Sequence, residues 1–79
     1  MAISLFLAAT LRKYVSGYSG ETGYEISIEP GTTVGALARL LRIPEEEVTL
    51  VMINGVTADK DAVLAGNERL ALFPAVGGG

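Results

Sequence analysis

The 79-residue chain contains no cysteine and no histidine. The first absence excludes disulfides and thiolate metal sites. The second removes the commonest general base and the commonest transition-metal ligand. Basic residues are few, six Lys and Arg against nine Asp and Glu, and they are scattered. A net charge of −3 spread in this way argues against nucleic-acid binding, which needs a clustered basic face. No segment approaches the roughly 20 apolar residues needed to span a bilayer. No basic stretch precedes a long apolar run, so no signal peptide is expected. Aromatic residues are sparse at 6 %. The expectation is one small soluble domain working in the cytoplasm, with no nucleic acid and no membrane among its partners. Chains of this length bury only about 60 % of the surface that the unfolded chain exposes, so stability should be modest.

What is present is aliphatic: hydrophobic residues make up 49 % of the chain. Residues 3–8 alternate as a strand, with Ile3, Leu5 and Leu7 on one face and Ser4, Phe6 and Ala8 on the other. Thr10 is placed to cap a short helix over 11–15. A loop over 17–23 carries glycine at every third position, without the spacing or the lysine of a phosphate loop. Residues 24–29 alternate again, Tyr24, Ile26 and Ile28 inward. The connection is too short for a crossover helix, so the two strands should pair antiparallel.

Pro30-Gly31 predicts a turn, after which Thr32 or Thr33 caps the main helix, from 34 to 41 or 42. Val34, Leu37, Ala38 and Leu41 form its apolar stripe. Gly35 suggests close contact with the sheet, and Pro44 ends the pattern. Glu45, Glu46 and Glu47 read as a solvated turn or single helical turn. A metal site is the weaker reading, because the run lacks a second ligand cluster. Residues 48–53 predict a third strand with Val51 and Ile53 inward, and Asn54-Gly55 predicts a hairpin. Residues 59–64 read as a turn followed by a short helical piece. Gly66-Asn67 then turns the chain into a last strand, with Leu70 and Leu72 inward and Arg69, Ala71 and Phe73 outward. The first and last strands are the most hydrophobic, hence central, adjacent and parallel. The order is α+β: a four- to five-stranded mixed sheet on one main helix.

The last strand leads through Pro74 into Ala75-Val76-Gly77-Gly78-Gly79. Proline marks the end of strand pairing, and glycines let a backbone pass where side chains would collide. If Gly79 is native and terminal, its α-carboxylate is free, and this flexible tail can be threaded into a narrow slot; trimming of the third glycine is the other reading. The alternative is a frayed terminus. Phe6, Ala8, Met52, Ala71 and Phe73 all fall on the outer side of their strands. If those strands are neighbours, they form one apolar patch that leads to Pro74 and the tail, a candidate partner interface. The alternative is that a loop or the short first helix covers part of it.

The strand and helix order, Val51-Met52-Ile53-Asn54-Gly55, the stretch 61–68 and the ending Phe73-Pro74-Ala75-Val76-Gly77-Gly78-Gly79 resemble the MoaD/ThiS family of ubiquitin-like sulfur carrier proteins. The resemblance covers essentially the whole chain, and Phe-Pro followed by terminal glycines is its most specific part. It implies a β-grasp domain over 1–75 with a flexible tail over 76–79. It also implies that the chain is not an enzyme. A partner, a MoeB/ThiF-like adenylating enzyme, would use ATP to adenylate Gly79. Val76, Gly77 and Gly78 would thread the tail, and a sulfur donor would convert the adenylate to a thiocarboxylate. No bound cofactor and no metal are implied. A MoaE-like large subunit of a molybdopterin synthase is a further implied partner. Molybdopterin or tungstopterin synthesis is the first expectation and thiamine thiazole synthesis the second. Sulfur donation to an amino acid or a thiolated RNA stays open. Two departures stand out: Asn67 occupies the position where an acidic residue is expected after glycine, with Glu68 next, and the tail carries three glycines instead of two. The segment 28–38 also resembles TGS-type β-grasp domains, and the alternative function is a regulatory or protein-binding module with no tail chemistry. A small enzyme has no support from residue types alone.

Overall fold

The computed structural model describes residues 2–15, 18 and 23–74, the side chains of residues 9 and 10 excepted. Seven strands are present among them: β1 (Ala2–Leu7), β2 (Tyr24–Ser27), β3 (Thr32–Thr33), β4 (Leu50–Ile53), β5 (Val56–Ala58), β6 (Val63–Leu64) and β7 (Arg69–Phe73). The helix α1 spans Val34–Leu40. Five strands form a mixed sheet in the order β2-β1-β7-β4-β5, and β3 pairs with β6 in a separate ribbon. The β1–β2 pair is antiparallel and the central β1–β7 pair is parallel, as the alternation and hydrophobicity of those segments predict.

The inward rows of β1 and β7 supply Ile3, Leu5, Leu7, Leu70 and Leu72. They pack with Val34, Leu37 and Ala38 of α1, with Leu64 of β6 and with Leu11 and Ile43 from the connections. Each buries its side chain almost completely. The helix begins where it does because its first N–H groups find acceptors. Val34 N donates to Ala62 O (3.0 Å), Gly35 N to Lys60 O (2.8 Å), and Ala36 N to the Thr33 hydroxyl (3.1 Å). Thr33 is thus the cap.

Arg42 ends α1, although proline two residues later is the stronger sequence signal. Its φ is +61°. Ile43 N donates to Ala38 O and Arg42 N to Arg39 O, the paired bonds of a Schellman motif, and Ile43 is driven into the core. A non-glycine residue at this left-handed position is strained. Arg42→Gly is therefore expected to raise stability by about 0.5–1 kcal/mol. The urea midpoint reads this directly, and a lowered midpoint would contradict it.

Four expectations need correction. The first helix is a 3-10 helix over Ala9–Tyr14, and Ala8, not Thr10, is its N-cap residue, with no side-chain bond to the cap. Residues 59–64 contain no helical piece: after a turn at Lys60 and Asp61 they extend into β6, because pairing with Thr32 and Thr33 outweighs local preference. Gly35 approaches the Lys60 backbone and Glu45 rather than the large sheet, and a Cβ there would stand 3.4 Å from Lys60 O. The third strand starts at Leu50, since Glu45–Glu47 form a 3-10 turn that Val48 closes. The hairpin stands as predicted, with Ile53 opposite Val56 and positive φ at both Asn54 and Gly55.

The connections are tied by polar contacts that bury no unpaired side-chain atom among the described residues. The Tyr14 hydroxyl donates to Glu47 (2.9 Å), which joins the two 3-10 turns and raises the phenol pKa. Beyond its pairing with β2, β1 is closed by side chains: Leu7 N donates to the Tyr18 hydroxyl, and Arg12 Nε donates to Leu7 O.

Candidate functional site

The sheet has an inner face on the core and an outer face, and the ladder registers arrange the outer face in rows. Phe6 on β1 lies opposite Ala71 on β7, and Ala71 lies opposite Met52 on β4. The next row toward the end of β7 places Phe73 opposite Leu50. Ala8 N donates to Leu72 O (3.1 Å), which carries the β1–β7 ladder one residue further and brings Ala8 to the same row. Strands are about 4.8 Å apart, so these side chains form one continuous surface about 10 Å across. The structure therefore brings Phe6, Ala8, Met52, Ala71 and Phe73 together, with Pro74 at the margin. All six are half-buried, because neighbours in each row shield one another. Leu11 of the 3-10 helix after β1 does not lie over this surface: it is sunk into the core.

Two outward residues belong to this face although the interface expectation omits them. Leu50, 38 % exposed, extends the apolar row beside Phe73, and the alternation that places Met52 outward already implies it. Arg69 places its guanidinium carbon 4.8 Å from the centre of the Phe6 ring. That contact is diagonal across the parallel pair and was invisible until the register was known. On its other side the Phe6 ring covers Gly23. A Cβ at residue 23 would stand 2.9 Å from the ring and 2.8 Å from Leu5 O, and φ there is +76°. Only glycine fits.

The chain leaves the sheet from its middle strand. Phe73 O accepts from Thr49 N (2.8 Å), and Pro74, which has no N–H, ends the ladder. Val76, Gly77, Gly78 and Gly79 lie outside the described residues. Their starting point is nonetheless fixed at the Phe73–Leu50 end of the apolar face.

The turn before β7 explains the apparent departure at Asn67. Asn67 has φ +71° and follows Gly66 at +116°, so its role is conformational. The acidic work falls to Glu68, whose carboxylate accepts from Ala65 N and Gly66 N, both at 2.7 Å. These bonds, that from Ala65 foremost, hold its pKa below the usual carboxylate range. A lowered folded-state pKa stabilises the fold above the unfolded value, near 4.3, and that contribution disappears as pH falls through the folded value. Glu68→Gln should lower the urea midpoint at pH 7, and the two proteins should converge as the pH is taken well below 4. A gap that persists unchanged in acid would show that the charge is not responsible.

Among the described residues, the charges on the outward rows of the strands are Glu25 and Arg69, and no group of three or more metal-ligating side chains occurs. A recess of about 550 Å³ lined by Gly31, Thr32, Thr33, Ala36, Arg39 and Leu40 lies on the helix side, a shallow depression beside α1.

The family model described as the ThiS family matches residues 8–79. Among solved structures, small archaeal modifier protein 1 of Haloferax volcanii superposes with a TM-score of 0.68 at 24 % identity, over 100 % of both chains. The Haloferax volcanii HVO 2177 protein gives a TM-score of 0.75 at 23 % identity, over 100 % of this chain and 87 % of that one. The putative molybdopterin converting factor subunit 1 of Pyrococcus furiosus gives 0.65 at 19 % identity, over 95 % and 98 %. These likenesses establish a β-grasp fold. No curated protein matches the chain.

Proposed function

Because the chain belongs to the ThiS family, we propose that it is a sulfur carrier whose C-terminal glycine is the reacting group. The observation that carries this reading is the family match itself, which runs through the tail to Gly79 and does not favour a TGS-like module. The outer face supports it by setting an apolar docking surface at the root of the tail. In the proposed sequence a MoeB/ThiF-like enzyme seats the face and threads residues 76–79 into its nucleotide site. A Gly79 carboxylate oxygen attacks the α-phosphorus of ATP and pyrophosphate leaves. Sulfide then displaces AMP to give the thiocarboxylate. A persulfide sulfur serves equally, if a second thiol reductively cleaves the acyl disulfide that forms. The chain is acted upon, and its own contribution is fit: a tail without side chains places the acyl carbon beside the nucleotide. Dependence on ATP puts the reaction in the cytoplasm.

Sulfur delivery to molybdopterin or tungstopterin, with a MoaE-like large subunit as the receiving partner, is the first destination. Thiamine thiazole is the second. One fold neighbour is named a modifier, which favours a second reading: an amine attacks the same adenylate, and an amide adduct forms. Intact mass separates the two. After incubation with ATP, a sulfur source and extract of its own cell, a carrier gains about 16 mass units as sulfur replaces oxygen, and deletion of Gly78-Gly79 removes the gain. A modifier appears in larger, thiol-resistant adducts. Neither product, with an active cognate adenylating enzyme present, would sink both readings.

A further inference from the structure

The outer face is largely apolar, and among the described residues its one cation, Arg69, is held in a particular way. Arg69 is exposed, and its guanidinium lies over the Phe6 ring at 4.8 Å. Its backbone is clamped from the hairpin: Arg69 N donates to the Asn54 side-chain oxygen (2.9 Å), and Asn54 N donates to Arg69 O (2.8 Å). A guanidinium held over a ring in this way can still grip a carboxylate with two bonds through its in-plane N–H fork. No carboxylate among the described residues lies within ion-pair distance of it. The ring below packs directly on Gly23, where a Cβ would stand 2.9 Å from it. The result is an exposed arginine anchored on an apolar face of a protein of net charge −3.

We propose that Arg69, positioned by Phe6 and Gly23, is a specificity-determining residue that takes an aspartate or glutamate carboxylate on the adenylating partner. This rests on the sulfur-carrier reading. Charge complementarity selects that partner chemistry: the ring seats in an apolar pocket, and the fork at its rim meets an acidic side chain. A guanidinium already held over a ring loses less freedom on binding, and a rim charge chiefly governs association and its salt dependence.

The test measures ATP–pyrophosphate exchange by the adenylating enzyme from the cell that makes this chain, with the full chain as varied substrate at low and high salt. Arg69→Glu should raise KM about tenfold at low salt, with kcat little changed and the difference shrinking as salt is added. Arg69→Lys, which keeps the charge and loses the fork, should fall between. A structural role alone would shift melting temperature without altering the salt slope of KM. An unchanged KM for Arg69→Glu, alongside a raised KM for Phe6→Glu, would overturn the Arg69 proposal and leave the docking face standing. If neither variant affects KM while loss of Gly78-Gly79 stops exchange, the face and Arg69 both fail and the tail chemistry survives. No exchange with the unaltered chain would remove the carrier reading and this proposal together.

Discussion

A single alanine appended after Gly79 is expected to abolish thiocarboxylate formation, by at least about a hundredfold in rate. The added residue converts the reacting carboxylate into an amide and moves the new carboxylate up to about 3.5 Å along the tail. A misplacement of about 1 Å at a reacting centre already suffices for a hundredfold loss. The β-grasp body should be untouched, because the described chain makes its last ladder bond at Phe73, seven positions before the added residue. Intact mass and the melting curve check both halves. Full thiocarboxylation of the extended chain would require trimming by the cell, and the recovered mass would reveal it. A modified extended chain that kept its alanine would overturn the assignment of Gly79 as the reacting residue.

Leu70→Ala is expected to lower the melting temperature by roughly 15 °C or more. Leu70 has no exposed surface and stands on the central strand, opposite Leu5 on β1 and Ile53 on β4. Removing its branched end forfeits transfer energy and leaves a cavity in a sheet that cannot close around it, about 3–5 kcal/mol. A domain of this length has on the order of 4–12 kcal/mol in total. Each kcal/mol shifts the midpoint by roughly 4–8 °C at this size. Val63→Ala, at a position 62 % exposed, should stay within about 0.5 kcal/mol. Equal effects of the two variants would mean that the core does not sit where the strand registers place it.

Both predictions rest on features legible in the chain. The period-two rows of Ile3, Leu5, Leu7 and of Leu70, Leu72 identify the core strands, because one buried face fixes which residues point inward. The Asn-Gly hairpin, the Thr33 cap and the stripe on α1 follow from equally local rules, as does the sorting of Phe6, Met52, Ala71 and Phe73 to the outer side. Phe-Pro and the glycines mark the tail by composition alone.

What the tertiary structure decided is what depends on partners distant in sequence. β6 is two residues long and exists because Thr32 and Thr33, about thirty residues earlier, offer a ladder; no local signal of Asp61-Ala62-Val63-Leu64 announces that. Arg42 in a left-handed Schellman position is likewise a consequence of Ile43 being pulled into the core, where sequence rules look for glycine. The exchange of roles at Asn67 and Glu68 required the turn's actual φ angles and the two amides that Glu68 caps. The placement of Arg69 over Phe6, with Gly23 beneath the ring, needed the parallel register of β1 and β7. Alternation says which face a side chain takes, whereas the pairing of strands says which side chain it meets.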